Sequence, residues 1–166
     1  MQQYSIRIPR AEFRSRAGKL LEHIRAQNLT GVVLFDRFFI LYLADFAFSA
    51  TERPIALVMN EQGEMAMLVP FLELEHARSS TGLDRVECYI EYPGETHPMY
   101  PLKNLLDDMG VRNRMAADYN GYQSTQGYRG PSLSQVTGGT VISVVEYLQD
   151  QMMVKSPAEI AVIRES

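Results

Sequence analysis

A lone cation among aromatics marks one place where this sequence could do chemistry. In DFAFSATERP (45–54), Phe46 and Phe48 precede Arg53. A guanidinium offers a planar fork of donors that grips a carboxylate through two parallel hydrogen bonds. Phenylalanines beside it can wall a pocket. The bland alternative is an edge loop whose aromatics tuck into the core. His97 lies in GETHPMY (94–100), a turn-rich loop between a strand and a helix, where an imidazole can titrate near neutral pH or face another domain. Glu73 and His76 in LELEH stand three apart, so on a helix they share a face, as in helix-borne metal sites. Such a site needs further ligands from other elements. None stands out, and a solvated helix surface accounts for the pair.

The other reactive residue types read as structural. Cys88 alternates with Glu87 and Tyr89 in RVECYIEY, which places Val86, Cys88 and Ile90 on the inward face of a half-buried strand. A lone inward cysteine without a basic neighbour is a small core residue rather than a nucleophile. It excludes an internal disulfide and fits a reducing compartment. GYQSTQGYRG (121–130) contains glycines but not the spacing of a phosphate-binding loop. Neither G-x-S-x-G nor H-E-x-x-H occurs. Asp107 and Asp108 oppose the dipole of a helix C-terminus and read as an exposed helix end. His23 falls on the polar side of the first helix and is expected in solvent. By themselves these residues do not make an active site.

The elements that must position them alternate between helix and strand. In PRAEFRSRAGKLLEHIRAQNLTG, the residues Phe13, Ala17, Leu20, Leu21 and Ile24 form one helical stripe. VVLF then reads as a buried strand and RFFILYLADF as a short buried helix. PIALVMN and MAMLVP, joined by EQGE, make a hairpin. FLELEHARSS is a helix, RVECYIEY a strand, PMYPLKNLLDDMG a helix closed by Gly110, and RMAADY a strand. Residues 120–139 are expected to hold short helices or loops, with a turn at Gly138 and Gly139. TVISV is a last strand and VEYLQDQMMV a last complete helix. This alternation, with one hairpin inserted, predicts a layered α/β domain with a mixed central sheet flanked by helices.

Composition fits that class. The chain has 166 residues, 46% of them hydrophobic and 22% charged, enough for one real core. A net charge of −4 gives no reason to expect a nucleic-acid partner. Six basic residues fall within the first 25 positions, but Glu12 and Glu22 are interleaved, which predicts a solvated helix face. No run approaches the 18 or so apolar residues of a membrane span, and the N-terminus lacks the apolar region of a secretory signal. A cytoplasmic location is expected.

The end of the chain is the most informative stretch. In MMVKSPAEIAVIRES, Ser156 and Glu159 have capping-box spacing and Pro157 occupies the first helical position. Ile160 and Ile163 begin an apolar stripe, yet no residue closes the helix. It reads as the start of an element that continues elsewhere. This stretch resembles the joint between the two domains of the creatinase/prolidase superfamily, R-x-x-K-[ST]-x-x-E-[IL]-x-x-[IL]-R. Lys155, Ser156, Glu159, Ile160, Ile163 and Arg164 match it, and Met152 or Met153 stands where the first arginine often falls. ILYLADF is similar to the family's I-x-Y-L-T-G-F through Tyr42, Leu43 and Phe46, with Asp45 in place of the usual glycine. The opening helix and strand, the ERPIALVMNEQGEMAMLVP hairpin and the YPGETHPM loop also resemble the family, so nearly the whole chain is covered.

The resemblance implies a two-domain parent: residues 1–150 as its N-terminal domain, and 151–166 as a linker and the start of the first helix of a catalytic domain outside this chain. That domain would bind two divalent metal ions through two Asp, one His and two Glu, and catalytic residues and metal ligands are expected to be absent here. The N-terminal domain would serve homodimer or higher assembly and lend a loop to the neighbour's active site. The resemblance places Arg53, with Phe48 near it and His97 as a second candidate, where relatives bind a substrate carboxylate. The parent would be an Xaa-Pro dipeptidase- or aminopeptidase-like hydrolase. Alternatives are a metal-free binding module of the same architecture, or a relative acting on creatine-type amidines, other small amides, or as a lyase.

Overall fold

The computed structural model describes residues 7–80, 82–123, 128 and 130–165. The apolar stripe of the first helix does what its spacing predicts: α1 (Arg10–Ala26) buries Phe13, Leu20 and Ile24. The chain then enters β1 (Gly31–Leu34), the centre of a mixed six-stranded sheet. β1 pairs antiparallel with β2 (Ala56–Asn60), β2 antiparallel with β3 (Met65–Pro70), and β3 parallel with β4 (Arg85–Tyr89). On its other side β1 pairs parallel with β5 (Arg114–Ala117), which pairs parallel with β6 (Thr140–Ser143). The strand order is therefore β4-β3-β2-β1-β5-β6.

The pleat divides the core into two layers. Val32, Leu34, Leu57, Met59, Met67 and Val69 face α1, α2 (Arg37–Ala44), α3 (Leu74–Arg78) and α6 (Val145–Met153). Val33, Ala56, Val58, Ala66, Leu68 and Ala117 face α4 (Met99–Asp108) and α5 (Leu133–Thr137). Strands covered on both faces need apolar residues at every position, which is why β1, β2 and β3 read as continuous hydrophobic runs rather than alternating ones. α5 carries a complete capping box between Ser132 and Gln135, and Gly138 ends it with φ 67°.

Five local expectations change. β4 ends at Tyr89, so Ile90 leaves the ladder and is 88% exposed instead of inward. Tyr89, placed outward by alternation, is buried because α4 and the loop before β2 cover that face. The helix expected over 71–80 is a 3-10 turn, Phe71–Glu73, followed by the short α3. His23 is not free in solvent: its ring stacks on Tyr147 of α6, with centroids 3.8 Å apart. Within the basic N-terminal stretch, Arg16 departs from the solvated face and is 5% exposed.

The end of the chain forms α7 (Pro157–Glu165). Its capping box is present: Ser156 Oγ accepts from the Glu159 N–H at 3.2 Å, and Glu159 Oε2 accepts from the Ser156 N–H at 2.9 Å. Position 150 falls inside α6, which runs on to Met153 before the short 154–156 connection.

Candidate functional site

The loop that carries Arg53 is set up by both ends of α2. Asp36 caps its N-terminus, accepting from the N–H of Phe38 at 2.7 Å and Phe39 at 3.3 Å. Asp45 closes it in the left-handed region (φ 56°), a conformation that Asp tolerates better than most residues. A glycine would take the same turn without strain. Burial raises the Asp45 carboxyl above its ordinary value. Phe46 then enters the core completely, against Phe48 at 5.6 Å and the His76 ring at 4.5 Å.

From the opposite layer two tyrosines clamp the rest of the loop. Tyr122 donates its hydroxyl to the Thr51 carbonyl at 2.8 Å, and Tyr89 donates to the Pro54 carbonyl at 2.9 Å. Thr51 Oγ1 accepts from the Arg53 N–H at 3.2 Å, which tightens the turn between those anchors. The Arg53 guanidinium is half-exposed and pairs with Glu52 Oε1 at 2.6 Å. A pair this open to water contributes about 0–1 kcal/mol, so Glu52 is a replaceable partner for Arg53.

Behind the loop lies a wall of rings. Tyr122 packs edge-on against Phe35 and against Tyr128, at 6.3 and 5.4 Å. Tyr128 meets His97 at 5.5 Å, and His97 meets Tyr92 at 5.1 Å. His97 Nδ1 accepts from the Met99 N–H at 3.2 Å, which leaves the proton of the neutral ring on Nε2. Nε2 is buried and has no hydrogen-bond partner among the described residues. Burial lowers the pKa of His97, so near neutral pH it is an uncharged donor. Burial likewise pushes the Tyr122 phenol up to about 12 and raises Tyr89 and Tyr128, which stay protonated.

The structure thus places Arg53 and His97 around one tyrosine cluster, linked through Tyr122 and Tyr128. Phe48 lies apart, packed on Phe46 in the other layer. The tyrosine wall was not singled out from the sequence; its only trace there is the recurrence of Tyr89, Tyr92, Tyr122 and Tyr128 near loop ends. Among the described residues this cluster offers one cation, neutral donors and aromatic surface, groups suited to holding an anionic ligand. The other candidates keep their structural roles. His76 Nδ1 pairs with Glu73 at 3.0 Å on an exposed surface. Asp107 is held below the usual carboxylate range by its hydrogen bond to Lys103, and Asp108 pairs with Arg85. Cys88 is half-buried against the layer of α1 and α3. The GYQSTQGYRG stretch lies partly outside the described residues. The two metal ions that the resemblance implies do not fit here: no three His, Cys, Asp or Glu side chains converge among the described residues.

A family profile described as the Creatinase/Prolidase N-terminal domain matches residues 16–148. The chain belongs to the creatinase/prolidase N-terminal domain family. Its fold recurs in solved structures of low sequence identity. A proline dipeptidase from Streptococcus pneumoniae superposes with a TM-score of 0.68 at 24% identity, covering 84% of this chain and 98% of that one. The creatinase/prolidase N-terminal domain of an X-Pro dipeptidase from Streptococcus pyogenes gives 0.66 at 16% identity, over 82% and 98%. Dipeptidase PepE from Mycobacterium ulcerans gives 0.73 at 20%, over 93% of this chain and 40% of that one. A search of curated proteins by sequence returned no match. The creatinase/prolidase N-terminal fold therefore accounts for the six-stranded sheet and both helical layers, and places the Arg53 loop at the end of the sheet where β2 begins.

Proposed function

We propose that this creatinase/prolidase N-terminal domain is the non-catalytic part of a cytoplasmic, metal-dependent Xaa-Pro dipeptidase- or aminopeptidase-like hydrolase. Its catalytic domain and two divalent ions would lie outside these 166 residues. The domain would support a homodimer or higher oligomer and shape substrate access to the partner's active site, with Arg53 receiving the substrate carboxylate and His97 bordering it, while Phe48 braces Phe46 in the other layer. The observation that carries this reading is a half-exposed guanidinium, its loop held at a fixed height by two tyrosine hydroxyls and, among the described residues, paired with its sequence neighbour Glu52. A substrate carboxylate would replace Glu52 and gain the bidentate geometry that the single Nη1 contact lacks.

Replacing Arg53 by Ala in the full-length parent tests it. For an Xaa-Pro dipeptide with a free carboxylate, KM is expected to rise about tenfold or more, the loss of one charged hydrogen-bonded contact. The C-terminally amidated substrate should respond little. Equal KM values for wild type and variant on both substrates would remove Arg53 from substrate binding. A full-length protein lacking the five metal ligands would point to the metal-free binding module instead.

A further inference from the structure

Four helices meet at one buried cation. The Arg16 guanidinium lies 4.2 Å from the Tyr42 ring centroid and 5.2 Å from that of Phe13. Its Nη1 donates to the Tyr42 carbonyl at 2.8 Å, and its Nε donates to Glu12 Oε1 at 3.3 Å. Gln151 Nε2 donates to the Arg16 carbonyl at 3.1 Å, and the Tyr42 hydroxyl reaches the Gln151 carbonyl at 3.4 Å. α1, α2 and α6 are thereby fastened together. The remaining nitrogen, Nη2, is buried, makes no hydrogen bond among the described residues, and stands 3.5 Å from Glu159 Oε1 on α7.

Glu159 divides its two oxygens. Oε2 accepts from the Ser156 N–H and closes the first turn of α7, while Oε1 faces Arg16. α7 has no buried residue, and Ile160 and Ile163 are exposed. A nine-residue helix with so little packing is marginal by itself. A charge pair at a desolvated guanidinium is screened far less than one in open water.

We propose that Glu159 couples the formation of α7 to its docking, and that Arg16 is the positioning residue that fixes the direction in which the chain leaves the domain. This holds whatever lies beyond α7 and does not depend on the proposed catalytic parentage.

The test uses NMR of the 166-residue chain. Glu159→Gln keeps an N3 side chain that can close the capping box but removes the charge that faces Arg16. Its α7 is expected to keep helical Cα shifts while its residual dipolar couplings shrink by about a third or more against those of the sheet, as for a segment passing from rigid to flexible. Ser156→Ala should lower both readouts. Arg16→Met should reproduce the coupling loss, and the Arg16→Met/Glu159→Gln double variant should lose no more than either single change. Full-sized α7 couplings in Glu159→Gln, fitting the same alignment as the sheet, would overturn the proposal. So would losses that add in the double variant.

Discussion

Asp118, at the carboxyl end of β5, is the clearest case of one side chain holding distant backbone in place. It is 6% exposed and accepts from the N–H groups of Phe35 at 2.8 Å, Asp36 at 2.6 Å and Tyr119 at 2.7 Å. It thus ties the end of β1, and through Asp36 the cap of α2, to β5. Burial, against the pull of those three donors, pushes its pKa up to about 6 from an ordinary 3.8. The folded state therefore binds this proton more tightly than the unfolded state. The resulting stabilisation is full below about pH 4 and is lost as pH rises through about 6. Asp118→Asn removes the titration and sets an NH2 against the same donors. Urea unfolding between pH 4 and pH 7 should show wild type more stable than the variant, by a margin that narrows by about 1–3 kcal/mol towards pH 7. Parallel profiles for the two proteins would show that Asp118 does not titrate in this range.

At the level of elements, β1 has no room to spare. A Cβ on Gly31 would stand 2.5 Å from the Met59 carbonyl oxygen and 2.6 Å from Val111. Gly31→Ala should cost about 1–3 kcal/mol or more, seen as a lower urea midpoint with an unchanged slope. The end of α2 responds in the opposite sense. Asp45 holds a left-handed backbone and a carboxyl that is partly desolvated, so Asp45→Gly should stabilise by about 0.5–1 kcal/mol while Asp45→Val destabilises. Thermal melts of the two variants read the difference. These elements were legible because their signals are local: the α1 stripe, the apolar runs of the central strands, and the Ser156 and Glu159 cap. Ile90 was misplaced because alternation cannot tell where a strand ends. Arg53 and His97 were visible as residue types in loops. The wall that unites them was not, since Tyr92, Tyr122 and Tyr128 are brought together only by the packing of the loops that follow β4 and β5. Arg16 was hidden for the same reason: its partners come from α2 and α7.

Across the whole molecule, the two packed layers close without α7. Ending the chain at Met153 should move Tm by less than about 4 °C, the equivalent of about 1 kcal/mol or less in a domain of this size. A larger drop would mean that α7 supports the core as well as leaving it. The junction between β1 and β5 has a different consequence. β1, β2, β3 and β4 all lie within the first 89 residues, whereas the contact of Phe35 with Asp118 spans 83 residues. Closing so long a loop is entropically slow compared with making a hairpin. During synthesis the four-stranded half can assemble first and wait, with one flank of β1 bare, until β5 emerges to cover it. That bare flank is where a half-made chain would be open to misassembly.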